Sequence, residues 1–193
     1  MANIRIVALA GSSRPGNATG KALAVTMDEL RKDADISVDV IDPAGLDLRA
    51  PGSQNADVVK ALQEKVTAAT GVILATPEYH GSYSSVIKML IEHLGYPSTL
   101  SGKPIALLGV AAGTIGAIKS LEHLRSVCSH VGGIVLPGPV SIAGVHQVFD
   151  NEGKCLDPSV EKRLRGLGRN LTDYIRQNIC PRIALEQMVR EPD

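Results

Sequence analysis

The 193-residue chain has no tryptophan, one phenylalanine and four tyrosines, so aromatic side chains make up only 3% of it. A site built on stacked aromatic rings has little material here. Cysteine is also scarce. Cys128, Cys155 and Cys180 form an odd set, 27 and 25 residues apart, with no metal-ligand spacing. They read as reduced thiols with packing roles. The five histidines (His80, His93, His123, His130, His146) contain no HxH or HxxxH pair, which argues against a zinc site. There is no excess of either charge: 20 Lys and Arg face 20 Asp and Glu. Nucleic acid and anionic membrane surfaces, which call for a basic excess, are therefore not expected as partners. No apolar run approaches the ~20 residues of a membrane helix. The start, Met1-Ala2-Asn3-Ile4-Arg5, lacks the basic opening and long apolar stretch of a signal peptide. The expectation is a cytoplasmic protein with one domain and a sizeable core.

What is present is an alternation of short apolar runs and amphipathic stretches. Ile4–Ala10 reads as the first strand, followed by a helix with Leu23, Met27, Leu30 and Ala34 at 4-3-4 spacing. Ile36–Ile41 reads as strand two. A Pro/Gly-rich link from Asp42 to Ser53 leads to a helix carrying Val58, Leu62, Val66 and Ala69. Val72–Ala75 is strand three, and Ser84 or Ser85 can cap the helix that carries Val86, Ile87, Leu90, Ile91 and Leu94. Lys88 and Glu92 are spaced to pair on its solvent side. Pro104 opens strand four, Ile105–Val110. A helix with Leu121, Leu124, Cys128 and Val131 follows. Strand five is Gly133–Leu136, resuming near Val140–Ile142. Phe149 to Lys154 reads as a tight turn. Val160, Leu164, Leu167, Leu171 and Ile175 stripe a last long helix, and Ile183, Leu185, Met188 and Val189 suit a short helix after Pro181.

Five β-then-α units with near-continuous apolar strands imply a parallel sheet covered on both faces, and right-handed crossovers put the helices in two layers. The expected architecture is a three-layer, doubly wound, flavodoxin-like α/β fold with a five-stranded parallel sheet of order 2-1-3-4-5. Residues 1–180 make the domain and 181–193 a C-terminal tail. In such sheets ligands bind at the carboxyl edge of the strands.

Three loops fall on that edge. The first is Gly11-Ser12-Ser13-Arg14-Pro15-Gly16-Asn17-Ala18-Thr19-Gly20-Lys21. Amides at a helix start, with the helix dipole behind them, attract an anion. Ser12, Ser13, Asn17 and Thr19 offer further donors, Arg14 a charged fork, and Gly11 and Gly16 a tight turn. A Walker A loop is excluded because Gly16 to Gly20-Lys21 is one residue short and Ala22 follows. A G-x-G-x-x-G dinucleotide fingerprint is excluded by Ser13. A monophosphate cradle and an ordinary helix-capping turn both remain. The second loop is Thr76-Pro77-Glu78-Tyr79-His80-Gly81-Ser82; the third is Ala111-Ala112-Gly113-Thr114. Pro77 stiffens consecutive amides, Tyr79 offers aromatic packing, and the small residues of the third loop let a flat ring lie close to the main chain. A flat, phosphate-bearing cofactor fits this set, and flavin mononucleotide (FMN) fits best.

These residues resemble the NAD(P)H-dependent FMN reductases, a flavodoxin-like family that includes quinone, chromate and azo reductases. The resemblance covers about residues 3 to 178. Its hallmarks are a G-S-x-R-x-x-S loop, here Gly11-Ser12-Ser13-Arg14 with Asn17 in the last place, and a P-E-Y-N-x-S loop, here Pro77-Glu78-Tyr79 with His80 for Asn and Ser82 matching. Lys88 matches the Leu-Lys pair that follows, with Ile87 for Leu. The resemblance implies that Ser12, Arg14, Asn17 and Thr19 hold the FMN phosphate, with Gly11, Ser13 and Ala18 also among the cofactor-binding residues. It places Pro77, Glu78, Tyr79 and His80 at the isoalloxazine and Ala112-Gly113 on its far side, with Ser82 also among the cofactor-binding residues. It further implies NADPH or NADH as co-substrate and two-electron transfer to a small-molecule acceptor (a quinone, free flavin, chromate or ferric iron, or an azo compound). No side chain need act as nucleophile or base, since the flavin carries the chemistry. A homodimer or homotetramer is implied, with the tail at a subunit contact. A flavodoxin-type electron carrier is the alternative. Neutral charge and few aromatics argue against it. A cofactor-free interaction domain on the same fold is a third reading.

Overall fold

The computed structural model describes residues 4–52 and 55–190. Met1–Asn3, Ser53 with Gln54, and residues 191–193 lie outside them, so the first residues of the expected domain, the end of the Asp42–Ser53 link and the end of the tail are not covered. Strands β1 (Ile4–Ala10), β2 (Ile36–Ile41) and β3 (Gly71–Tyr79) alternate with helices α1 (Ala18–Leu30) and α2 (Ala56–Ala68). The short strand β4 (Ser82–Tyr83), helix α3 (Ser85–Glu92), β5 (Pro104–Val110), α4 (Ile118–His130), β6 (Ile134–Val135), β7 (Val140–Ile142) and α5 (Pro158–Tyr174) follow. The parallel sheet runs β2-β1-β3-β5, and β6 and β7 both pair with β5. With β6 and β7 taken as two halves of one strand broken at Pro137 and Pro139, this is the expected 2-1-3-4-5 order.

Both faces of the sheet are buried, and the pleat divides the strands accordingly. Ile6, Ala8, Ala10 and Ile73 pack with Leu23 and Met27 of α1 and Leu164, Leu167 and Leu171 of α5. Val7, Leu9, Val72 and Leu74 pack on the other side with α2, α3 and α4, where Leu62, Val66, Leu90, Leu124 and Cys128 are buried. The expected helical stripes therefore face the sheet. Ala34 is an exception: α1 ends at Leu30, and Ala34 lies exposed in the turn before β2. Val131 likewise falls just beyond α4 and is only half-buried.

Two further differences bear on function. Strand β3 does not stop at Ala75 but runs to Tyr79 and folds back on β4 as an antiparallel hairpin, pairing Glu78 with Tyr83 and Tyr79 with Ser82. His80 and Gly81 form its two-residue turn with φ of 51° and 74°. Positive φ at both central positions is the type I′ geometry whose twist matches the strands. At the other end, α5 is not followed by a break at Pro181. A π-helical turn, Ile175–Ile179, carries it into α6 (Cys180–Arg190). Proline has no N–H for the preceding turn and crowds its carbonyls, and a wide turn is a common accommodation. No helix of the described residues is long and apolar enough to cross a membrane.

Candidate functional site

The loops after β1, β3 and β5 meet in one cleft of about 480 Å³ at the carboxyl edge of the sheet, within the ~300–1,000 Å³ usual for small-molecule sites. Of the residues singled out in the sequence, Ser12, Arg14, Asn17, Ala18, Thr19, Pro77, Glu78, Tyr79 and Ala112 line it. Gly11, Ser13, His80, Ser82 and Gly113 lie outside the lining.

The first loop is shaped by Asn17. It caps α1, with Oδ1 accepting from the Gly20 amide at 2.7 Å, while its Nδ2 donates to the Arg14 carbonyl at 2.7 Å. Serine at this position could cap equally well; the extra donor of Asn also fixes the turn behind it. The Ala18 and Thr19 amides open the helix and have no partner among the described residues. Both residues line the cleft, where the positive end of the helix dipole also lies. Arg14 makes no ion pair among the described residues. Its guanidinium lies 5.4 Å from the centroid of the Tyr79 ring, a cation–π distance that bridges the first and second loops. This donor set, one unpaired guanidinium and free helix-start amides beside Ser12, fits a phosphate.

Gly11 sets the spacing of the two loops. Its amide donates to the Ala75 carbonyl at 2.7 Å, and a Cβ built on it would lie 2.6 Å from that same oxygen. Its own carbonyl accepts from Ser84 Oγ at 2.6 Å. Gly11 and Ser82 thus act behind the wall rather than in it. Ser82 Oγ sits 3.1 Å from His123 Nδ1 on α4, and His80 occupies the hairpin tip.

Glu78 lines the cleft, but its Oε2 accepts from the Ser120 amide at 3.0 Å. Helix α4 has no capping side chain of its own. The carboxylate supplies one from across the fold, where the helix dipole favours negative charge. Beyond β5, the third loop is pinned from the segment after β7: the Val145 amide donates to Ala111 O at 3.0 Å and Gly144 to Gly113 O at 3.1 Å. The small side chains of Ala111 and Ala112 leave a flat wall suited to a ring.

A fourth wall was not expected. Val145, His146, Phe149 and Asn151 also line the cleft, as does Lys21. The Phe149–Lys154 turn, read in the sequence as a connection only, closes as a small hairpin with Phe149 bridged to Cys155. Asp150, Asn151 and Gly153 signal a tight turn; nothing in the sequence says that it folds back onto α1. Among the described residues no group of three or more His, Cys, Asp or Glu side chains could hold a metal ion.

Comparison with known proteins supplies the family. Residues 4–147 match the NADPH-dependent FMN reductases. An NAD(P)H-dependent FMN reductase of Pseudomonas aeruginosa is 28% identical over 183 residues, 91% of this chain and 97% of that protein. A 2-hydroxy-1,4-benzoquinone reductase from a Burkholderia species is 30% identical over 141 residues, 70% of this chain and 76% of its own length. In fold, the chain is similar to FerB, a flavoenzyme NAD(P)H:(acceptor) oxidoreductase from Paracoccus denitrificans. That likeness has a TM-score of 0.75 at 22% identity and covers 90% of this chain and 98% of that one. By its matched sequence and the cleft at its sheet edge, this chain belongs to the NADPH-dependent FMN reductase family.

Proposed function

We propose that the cleft holds FMN and that the protein is an FMN-dependent NAD(P)H oxidoreductase acting on a small quinone or azo acceptor. The carrying observation is the Arg14–Tyr79 contact at 5.4 Å, which bridges the loops after β1 and β3 over one opening. Arg14, Ser12 and the Ala18 and Thr19 amides would hold the phosphate. Pro77 to Tyr79 and Ala111-Ala112 would flank the ring. Bound there, FMN supplies the two-electron chemistry between NAD(P)H and acceptor. The chain's own part is to neutralise the phosphate, fix the ring plane and leave one ring face open to solvent for the nicotinamide and acceptor in turn. The relative named above as a benzoquinone reductase supports a quinone acceptor, and NADPH azoreductase of a Bacillus species, 32% identical over 118 residues, supports an azo one. The family match weighs against an electron carrier lacking NAD(P)H activity.

The same reading extends to the assembly. The protein works in the cytoplasm as a homodimer or homotetramer, residues 1–180 forming the cofactor domain and 181–193 a subunit contact. Leu185, Met188 and Val189, all exposed on α6, support a contact there. The test is an absorbance spectrum of the purified protein followed by anaerobic titration with NADPH and NADH. A flavin spectrum that bleaches on titration is expected. Colourless protein without affinity for added FMN overturns the reading.

A further inference from the structure

Lys21 stands in the fourth position of α1, one turn beyond Asn17. Helical side chains lean back over the turn that precedes them, so its stem runs toward the Ala18–Thr19 end of the helix and the mouth of the cleft, which it lines. There its Nζ donates to the Asp150 carbonyl at 2.7 Å. The contact spans 129 residues of sequence and is partly buried. The stem also packs on the hairpin: a Cβ at Gly153 would lie 3.6 Å from Lys21 Cγ. The Asp150 carboxylate is turned to the Lys154 amide at 2.8 Å, so the lysine meets a neutral carbonyl rather than a carboxylate. An ammonium has three donors, and one is used. Lys21 and Arg14 are thus the two strong cations of the cleft, and neither is paired with a carboxylate among the described residues. The cleft's carboxylate, Glu78, is engaged at α4.

Resting on the FMN reading, we propose that Lys21 is a second phosphate-binding cation and the residue that selects phosphorylated flavin over riboflavin. Its bond to Asp150 holds the Phe149–Lys154 hairpin against α1, which sets Asn151 and Phe149 in the wall. Its other two donors are left to a phosphate at the Ala18–Thr19 end of the helix. A phosphate monoester carries close to two negative charges. Arg14 at the exposed rim and Lys21 at the inner wall match that count.

The test titrates FMN and riboflavin into flavin-stripped protein and reads flavin fluorescence, for wild type, Lys21→Met and Lys21→Arg. Methionine keeps the stem against Gly153 and removes the charge. Lys21→Met is expected to weaken FMN binding at least tenfold, to weaken riboflavin binding by a much smaller factor that reflects the lost bond to Asp150 alone, and to flatten the salt dependence of FMN affinity. Lys21→Arg is expected to recover most of the FMN affinity. An equal loss for both flavins makes Lys21 a latch on the hairpin only and overturns the proposal, as does an unchanged FMN affinity. Wild-type protein that binds neither flavin fails the underlying reading instead, and the two failures are distinct.

Discussion

Ser84 gives its hydroxyl proton to the carbonyl of Gly11 across 2.6 Å, joining the loop after β1 to the helix that follows β3. Ser84 Oγ itself accepts from the Ile87 amide at 3.1 Å and so caps α3. The Ser84 amide in turn donates to Thr76 Oγ1 at 3.0 Å, whose hydroxyl reaches the Pro77 carbonyl at 2.9 Å. Both side chains are buried. One chain of bonds therefore fixes the separation of the two loops that face each other across the cleft. Ser84→Ala removes a cap and strands a buried carbonyl, a loss of about 2–3 kcal/mol. Urea unfolding measures it, and a fall in FMN affinity is expected at temperatures where the variant is fully folded.

Arg14→Ala removes the guanidinium from the rim and its contact with Tyr79. Charge-assisted bonds to phosphate are worth about 1.5–3 kcal/mol, so FMN binding should weaken roughly tenfold to a hundredfold. Lysine should restore part of this, since it keeps the charge but loses the planar fork. Fluorescence titration decides it. The melting temperature should barely change, because Arg14 is exposed and has no ion pair among the described residues.

His80 holds a left-handed backbone conformation at the hairpin tip, φ 51°. Asparagine is the residue the family pattern has there and is well suited to a type I′ turn, and histidine is among the residues enriched at positive φ. His80→Asn should therefore leave both stability and the flavin spectrum nearly unchanged. His80→Val should cost about 1–2 kcal/mol, the price of the left-handed conformation for a β-branched residue. A large shift of flavin potential in His80→Asn would show that the imidazole acts on the ring.

Glu29 links α1 to α5. Its carboxylate pairs with Lys32 at 2.7 Å, with Arg165 at 3.3 Å and with Arg169. Hydrogen bonds from Lys32 and then Arg169 hold its pKa down at about 2, from an ordinary value of 4.5. A folded-state pKa below the unfolded one adds stability that is complete above about pH 4.5 and drains away as pH falls toward 2. Glu29→Gln should lower stability by about 1 kcal/mol at neutral pH, and the gap from wild type should close near pH 2. Urea midpoints across that range test the sign.

Cys128 is buried among the α4 side of the core, and burial pushes its thiol up to about 12. Only the thiolate reacts with disulfide reagents. Near pH 8 such a reagent should modify Cys155 and Cys180, both partly exposed, and reach Cys128 only after denaturation. Mass spectrometry of the modified peptides reads the order.

The sheet was legible because its residues obey local rules. Val7 and Leu9 alternate with Ile6 and Ala8 between two buried faces, and Leu164, Leu167 and Leu171 repeat at the helical period. Periodicity of this kind is written in neighbours along the chain. The three loops follow from strand ends, so the sequence alone puts Arg14 and Tyr79 at one edge. It does not give their contact at 5.4 Å, nor the cap that Glu78 lends to α4. The turn after Phe149 was readable as a turn, but that it closes the cleft depends on Lys21 reaching Asp150. Periodicity and turn chemistry are short-range, fixed by backbone sterics within a few residues. Bonds between residues some 40 to 130 positions apart form only once packing has paid their loop entropy, so the walls of the site and the partners of its charges belong to the tertiary structure.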